Sequence, residues 1–253
     1  MVPTCITSNT PGKVSLIKNY YPGFLYLYSM KVYFDHITGF GKIKHMDFIF
    51  SNPYGVLEPN ESEEDVIKEG WILWEDYWYN LRSVRLDLNE YKPAKTTKKL
   101  SKYVTIEHGD VLANLEQYEE LYDKYCKYHG FKRDINLASF KDCNVIEYHT
   151  DLLIGISLYR VFNKQFVAYE FIWDYKDPKL SLGTIAQMME CKTAKLLNCE
   201  YVYLLGGYEK CCEYKANYSG FEFWTGKEWS TDVELYKTLV ARDENINITG
   251  YDV

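Results

Sequence analysis

The sequence predicts an α+β fold, in which a mixed sheet is flanked by helices and preceded by a β-rich N-terminal extension. Two segments carry apolar residues at spacings of three and four, which is typical of amphipathic helices. Three β-runs follow one another with very short connections, which favours antiparallel pairing. A further buried strand, ending in two glycines, follows the second helical segment. These observations together predict the fold class.

The N-terminal region contains strand-like runs and one short helix. The runs are 32–34 and 46–50, and turn-forming residues separate them. Ser62 is a suitable helix N-cap, and the acidic residues 63–65 favour the first helical turn. We therefore expect a short helix that begins after Ser62 and ends at Gly70.

A strand followed by a basic run comes next. Apolar and charged residues alternate from Val84 to Leu88, which predicts a half-buried strand. Five lysines then lie within eleven residues, and such a run usually means a solvated surface. They are Lys92, Lys95, Lys98, Lys99 and Lys102.

The remaining elements follow in a regular order. Residues 112–128 have helical periodicity, and Gly130 supplies a C-terminal stop. The three closely spaced β-runs come after it, then a second amphipathic helix at about 184–197. The buried strand 201–205 ends in Gly206 and Gly207. The three β-runs are 144–148, 152–161 and 165–173.

Composition and charge exclude several classes of protein. No stretch of the 253 residues approaches the roughly 18 apolar residues that a membrane helix needs, and the N-terminus lacks a signal-peptide pattern, so we expect a soluble, cytoplasmic protein. Seven cysteines without a CxxC pair and five scattered histidines give no metal-ligand spacing, and we expect no metal site. A formal charge of −7 has the wrong sign for a general nucleic-acid binder, so any contact with RNA must be local.

The order of the elements resembles the acetyltransferase (GNAT) fold. In that fold two neighbouring parallel strands diverge, and the backbone groups exposed between them hold an acyl donor. Here the diverging pair would be 165–173 and 201–205. The segment Leu180-Ser181-Leu182-Gly183 would then lie at the start of the helix between them.

That helix start departs from the pattern of acyl-CoA enzymes. They usually carry Arg/Gln-x-x-Gly-x-Gly/Ala there, so that backbone amides bind the pyrophosphate. With Gly183 as the last glycine, Pro178 and Ser181 occupy the first two positions. Proline has no N–H, and Ser181 carries a side chain where glycine allows the closest approach. A donor without a pyrophosphate, such as an aminoacyl-tRNA, is therefore favoured.

Two segments resemble the arginyl-tRNA–protein transferase family. The segment 70–99 is similar to the family's stretch from a Gly-aromatic start through an "LR" strand to a basic element. The segment 174–183, together with Tyr214-Lys215-Ala216-Asn217-Tyr218, is similar to its "YDP…LSLG" and "RYK…Y" elements. The family's N-terminal metal-binding cysteines have no counterpart here. We therefore expect a divergent region over 1–69 and a GNAT-like aminoacyltransferase domain over 70–253.

The resemblance implies that an amine attacks the ester carbon of an aminoacyl-tRNA, with no cofactor. Asp174 is our first choice of base and Glu170 the second, although residues 174–178 could simply form a turn. Ser181 and the amides near Gly183 would stabilise the oxyanion. The remaining roles are binding roles: Tyr214, Lys215 and Tyr218 would hold the adenosine or the acceptor, Tyr208 would stack, and Lys92, Lys95, Lys98 and Lys99 would bind tRNA phosphates.

Two other functions stay open at this point. The first is a CoA-dependent N-acetyltransferase. The second is a catalytically silent protein- or RNA-binding module on the same fold, since Glu209 and Glu213 replace the family's Cys and Arg. The amino acid that is transferred and the amine that accepts it also stay open. The acceptor could belong to a protein, a peptide or a small molecule.

Overall fold

A computed structural model describes residues 31–34, 39–43, 46–50, 53–57, 61–74, 76–80, 82–133, 135–174, 178–207 and 210–244. The N-terminal strands are β1 (Lys31–Phe34), β2 (Gly39–Ile43), β3 (Met46–Phe50), β4 (Pro53–Val56), β5 (Trp71–Trp74) and β6 (Tyr77–Asn80). The later strands are β7 (Val84–Asp87), β8 (Thr105–Asp110), β9 (Asn144–His149), β10 (Leu153–Phe162), β11 (Gln165–Trp173), β12 (Tyr201–Tyr203), β13 (Phe221–Trp224) and β14 (Trp229–Ser230). The α-helices are α1 (Glu63–Lys68), α2 (Lys95–Leu100), α3 (Leu115–His129), α4 (Leu182–Leu196) and α5 (Val233–Glu244).

A mixed eight-stranded sheet organises the fold. Its strand order is β14-β13-β7-β12-β11-β10-β9-β8, and every neighbouring pair is antiparallel except β11 and β12, which are parallel. Apolar side chains of α4 and α5 pack on one face, and those of α3 pack on the other. The predicted α+β fold, with a mixed sheet between helices, is confirmed.

The pairing between the parallel strands β11 and β12 is short. They pair only from Gln165 with Tyr201 to Val167 with Tyr203, although β11 continues to Trp173. The prediction that these two segments form neighbouring parallel strands is confirmed, and their divergence stays a prediction. We call the space between β11 beyond Val167 and the chain beyond Tyr203 the wedge.

Capping residues and turn residues in the sequence predicted several element boundaries correctly. The Ser62 side chain accepts a hydrogen bond from the Asp65 amide at the start of α1. Gly130 ends α3 with a φ of 69°, a left-handed conformation that glycine adopts without steric penalty. The three β-runs form an antiparallel meander, as predicted. Such boundaries depend on neighbours in sequence, so the sequence alone reveals them.

Strand β7 differs from its predicted half-buried state. It lies inside the sheet between β13 and β12, so Arg85 on its second face is also buried. The guanidinium lies over the rings of Tyr201 at 3.7 Å and Trp229 at 4.0 Å, and its Nε donates to Glu222 at 2.6 Å. These partners come from distant parts of the chain, which explains why alternation suggested an exposed face.

Four further strands lie in a smaller sheet of order β1-β4-β6-β5. This sheet takes strands from both sides of the predicted domain boundary after residue 69, and that boundary stays a prediction. Within the described residues, none of the helices combines the length and the apolar character that a bilayer crossing requires.

Candidate active site

A cavity of about 560 Å³ lies where β11 ends and α4 begins. Trp173 and Asp174 form one wall, and Lys179, Leu180 and Leu182 form the next. The turn between β9 and β10 and the end of α2 close the other sides. The cavity therefore lies at the crossover between the two parallel strands, which is where α/β sheets commonly bind ligands.

Charged and apolar groups share the cavity wall. Asp151 and Asp174 contribute carboxylates, and Lys124 and Lys179 contribute ammonium groups. The backbone amide of Asp174 donates to the Ile154 carbonyl at 2.9 Å, which fixes the chain where it leaves β11. Aromatic and aliphatic side chains complete the lining, so the cavity suits a ligand that is both charged and partly apolar.

The start of α4 has an unusual backbone. Ser181, its N-cap residue, has φ 52° and ψ 46°, and its side chain makes no capping hydrogen bond. A left-handed conformation is disfavoured for residues with a side chain. The Ser181 carbonyl accepts from the Thr184 amide at 3.0 Å and from its hydroxyl at 2.9 Å. The exposed Ser181 hydroxyl is thus left to solvent beside the cavity.

Gly183 is not required by the packing of the protein itself. A Cβ added there would meet its nearest neighbour, a ring carbon of Phe171, at 3.8 Å, which is ordinary contact. The residue has an ordinary helical backbone inside α4. A glycine that the fold does not need is consistent with close approach of a ligand at this point.

The predicted tRNA-binding lysines lie on and beside α2. Lys92, Lys95, Lys98 and Lys99 are all exposed. The helix packs on α4 and buries Thr97. The residues that follow these lysines, Leu100 and Tyr103, line the cavity. The structure therefore brings the basic run to the rim of the cavity.

Other predicted site residues lie outside the cavity lining. Glu170 is partly buried within β11. Tyr214 is exposed and Tyr218 partly buried, and their rings form an edge-to-face pair with centroids 6.2 Å apart. Burial raises the pKa of the Tyr218 hydroxyl. Tyr208 lies outside the described residues.

Lys215 is placed differently from the prediction that it holds the adenosine or the acceptor. Its side chain is only 4% exposed, and its ammonium donates to the protein's own backbone. The accepting carbonyls belong to Leu204 at 2.9 Å, Leu205 at 3.3 Å and Gly206 at 3.5 Å. Because an ammonium has three donors, these contacts occupy it fully. The structure thus contradicts a direct contact between Lys215 and a substrate.

A buried carboxyl group on α4 was missed by the sequence analysis. Glu190 accepts a hydrogen bond from the Ser157 hydroxyl at 2.7 Å, and Ser157 in turn lies 3.0 Å from the Tyr148 hydroxyl. Burial raises the pKa of Glu190 to about 7, although Ser157 and the charge of Lys215 oppose this rise. The sequence signal was a lone acid among apolar residues of the helix, at Met188-Met189-Glu190-Cys191.

One group of side chains has metal-ligand spacing within the described part of the chain. Ligand atoms of Glu107, Glu147 and His149 all lie within 4.8 Å of one another. Both Glu147 oxygens already have partners, because Oε1 accepts from Tyr118 and Asn114 and Oε2 lies 2.9 Å from the His149 ring. Hydrogen bonding therefore accounts for Glu147 and His149, and Glu107 is an exposed carboxylate beside them.

Comparison with known proteins gives one family match. The family model described as "Arginine-tRNA-protein transferase, C terminus" matches residues 96–225, about half of the chain. That range contains the whole cavity lining and most of the basic run. A search of curated proteins found no match.

Several solved structures are similar at low sequence identity. A C-terminal domain of a putative lysylphosphatidylglycerol synthetase from Agrobacterium fabrum is 11% identical, with a TM-score of 0.44 over 50% of this chain and 46% of that one. FemX is 8% identical, with a TM-score of 0.41 over 49% and 52%. L-PGS from Bacillus licheniformis is 8% identical, with a TM-score of 0.43 over 74% and 71%. The chain thus spans about half the length of the first two.

Proposed function

This chain belongs to the arginine-tRNA-protein transferase family, by its C-terminal region, and on that premise we propose that it transfers an amino acid from a charged tRNA to an amine. The observation that carries the proposal is a charged cavity beside a basic helix, both within or next to the matched residues. The cavity would receive the aminoacylated 3′ end, and the helix would bind the tRNA backbone.

The lysines on and beside α2 support the tRNA part of the proposal. Lys92, Lys95, Lys98 and Lys99 are exposed next to residues that line the cavity. Phosphate contacts of this kind release bound counterions, so the affinity falls as salt rises. A local basic surface explains how a chain with a formal charge of −7 could bind RNA at one place.

The proposed reaction depends more on positioning the amine and the ester than on activating either of them. The amine attacks the ester carbonyl carbon, a tetrahedral oxyanion forms, and the bond from that carbon to the ribose oxygen breaks. An α-amine with a pKa of about 8 is partly neutral at pH 7, so a carboxylate helps modestly by taking its proton. Asp174, in the cavity wall, is our choice for this base, and Glu170 on the same strand is the second.

The start of α4 would stabilise the oxyanion. Ser181 has an exposed hydroxyl and Gly183 leaves room for close approach. Amides in the first helical turn lack intrahelical acceptors, which favours a negative charge there. Tyr214 and Tyr218 would contact the adenosine or the acceptor from the segment that follows the wedge, and Tyr208 would stack on the base.

The finer identity of the reaction is part of the proposal. We propose arginine as the amino acid, because the matched family is described by it and because Asp151, in the cavity wall, would face its guanidinium. The acceptor would be an amine of a protein, a peptide or a small molecule. The reaction would take place in the cytoplasm, where charged tRNA is made, and residues 70–253 would form the catalytic domain.

The direct test uses tRNAs charged with labelled amino acids, one at a time, together with cell lysate. We expect label in an acceptor with at least one amino acid, and loss of that label after RNase treatment. Asp174→Asn should reduce the rate, whereas Asp142→Asn, an exposed change before β9, should not. Protection of the protein by acetyl-CoA without labelling would favour an acetyltransferase, and RNA binding without labelling would favour a silent module.

A further inference from the structure

Tyr103 is an exposed aromatic residue at the mouth of the cavity. Its side chain is 71% exposed and also contributes to the cavity lining, which is possible only where the cavity opens to solvent. Within the part of the chain that the structure describes, no other aromatic ring lies against it and no side chain hydrogen-bonds to its hydroxyl. The ring therefore contributes little to the stability of the fold and is available for a ligand.

The backbone that carries this ring is held in place. Helix α2 ends at Leu100, and a single 3₁₀ turn connects it to β8. The Val104 amide closes that turn by donating to the Ser101 carbonyl at 3.3 Å. Val104 is buried and Leu100 packs against the core, so both ends of the turn are anchored. A ring presented on a fixed backbone loses less conformational entropy when a ligand binds.

The surroundings of Tyr103 combine positive charge with apolar surface. Lys98, Lys99 and Lys102 precede it within five residues, and all three are exposed. Leu152, also 71% exposed, lies at the same mouth on the turn between β9 and β10. Lysines beside an exposed aromatic ring are typical of surfaces that bind single-stranded nucleic acid, because the lysines contact phosphates and a base stacks on the ring. A duplex keeps its bases stacked on one another, so the mouth suits unpaired RNA.

The size of the cavity indicates which nucleotide meets Tyr103. Its volume of about 560 Å³ is in the range of pockets that hold one small ligand. In the proposed reaction this space receives the terminal adenosine and its amino acid, because the ester must reach Asp174. The nucleotides before the terminal one then lie outside, and the penultimate nucleotide crosses the mouth.

We propose that Tyr103 binds the single-stranded 3′ end of the tRNA by stacking on the base of the penultimate nucleotide, while Lys102 contacts the adjoining phosphate. The inference rests on the proposed transfer reaction. Stacking at the mouth fixes the point where the terminal nucleotide enters the cavity. It does not involve the amino acid, so it contributes equally to the binding of charged and uncharged tRNA.

The first test measures binding of a short uncharged RNA hairpin that carries the unpaired 3′ end of a tRNA. We expect Tyr103→Ala to raise the Kd by about tenfold, and Tyr103→Phe, which keeps the ring, to stay within about twofold of wild type. Tyr77→Ala removes an exposed tyrosine from β6 in the smaller sheet and is the matched control, with an unchanged Kd. Because the Tyr103 ring is exposed, the melting temperature of Tyr103→Ala should stay close to that of wild type.

The second test identifies the base that stacks on the ring. A hairpin without the penultimate base should bind wild type about tenfold more weakly, and Tyr103→Ala should cause no further loss with it, because the two changes remove the same contact. A hairpin without the terminal base is the matched ligand, and there Tyr103→Ala should still weaken binding by about tenfold. An equal loss with both hairpins, or wild-type affinity of Tyr103→Ala for the intact hairpin, would overturn the inference. Weaker use of the acceptor with unchanged RNA affinity would also overturn it, because Tyr103 would then contact the acceptor.

Failure of the proposed function has a different signature. In that case the wild-type protein transfers no amino acid from any charged tRNA. Coupling between Tyr103 and the penultimate base would then still support the stacking contact, in a protein that binds RNA without the transfer reaction. Transfer by wild type without that coupling would reject the role of Tyr103 alone.

Discussion

Charged side chains in the interior of this protein have partners that determine their roles. Lys215 is satisfied by three backbone carbonyls, and Glu190 is hydrogen bonded to Ser157. Lys215 is close enough to lower the pKa of Glu190, although burial has the larger, opposite effect. In the sequence, the position of Lys215 within a family-like motif suggests that it binds substrate. Only the folded structure shows that its ammonium faces inward.

Glu190 predicts a pH dependence of stability. Its folded pKa of about 7 exceeds the ordinary value of 4.5, so the folded state binds the proton more tightly than the unfolded state. The contribution of Glu190 to the free energy of unfolding is therefore fully present below about pH 4.5 and is lost as the pH rises through 7. Glu190→Gln should remove this loss, so that the variant gains about 2 kcal/mol relative to wild type between pH 5 and pH 8.

Urea unfolding at both pH values measures this difference in the free energy of unfolding. Glu120→Gln, the same carboxyl-to-amide change on the exposed side of α3, is the matched control. A difference between Glu190→Gln and wild type that stays constant with pH would contradict the assignment. It would mean that Glu190 is charged in the folded protein at pH 5.

A substitution at Gly183 can distinguish an effect on ligand binding from an effect on folding. Gly183→Ala places a Cβ at ordinary contact distance from Phe171 and should leave the melting temperature unchanged or slightly higher. Transfer should fall by about tenfold or more if the donor approaches this backbone. Gly155→Ala is the opposite case, because its Cβ would lie 3.0 Å from Leu182 and 3.2 Å from Trp173, and it should destabilise the fold. Thermal melts and transfer assays of both variants show whether Gly183 is needed for binding of the donor or for stability.

At the scale of elements, the sequence predicts what depends on local pattern. The extents of α3, α4 and the β9–β11 meander follow from periodicity and short turns, and the structure has them within a few residues. The position of β7 inside the sheet, by contrast, depends on β13, which follows it by more than a hundred residues. The cavity likewise combines five separate segments, so the sequence located Asp174 but not the partners around it.

The exposed lysines of α2 lead us to expect that charge changes there alter the affinity for tRNA and its dependence on salt. Lys98→Glu/Lys99→Glu reverses two exposed charges beside the cavity, so affinity for tRNA should fall and its dependence on salt should become shallower by about one to two in log–log slope. Binding measured between low and moderate salt tests both quantities. Lys141→Glu/Lys164→Glu makes the same charge change at the opposite end of the meander and should have little effect. An equal loss of tRNA affinity in the two double variants would indicate non-specific electrostatic attraction.

At the scale of the whole molecule, the N-terminal segment is joined to the large sheet through α1. Val66 and Ile67 are buried, and the Lys68 carbonyl accepts from the Trp229 indole at 2.6 Å. Gln165, at the start of β11, donates to Glu64 at 3.4 Å. The helix thus contacts the start of β11, at the end of that strand remote from the cavity. Stability of the proposed catalytic domain should therefore depend on residues before its predicted start.

Two fragments test this dependence. Residues 61–253 retain α1, whereas residues 70–253 lose it. Burying each of Val66 and Ile67 contributes about 1.5–3 kcal/mol, so the shorter fragment should be less stable by about 3 kcal/mol or more in urea unfolding. Val66→Ala in the longer fragment gives a graded comparison without changing chain length. Equal stability of the two fragments would instead mean that the domain begins at residue 70, with α1 as an independent attachment.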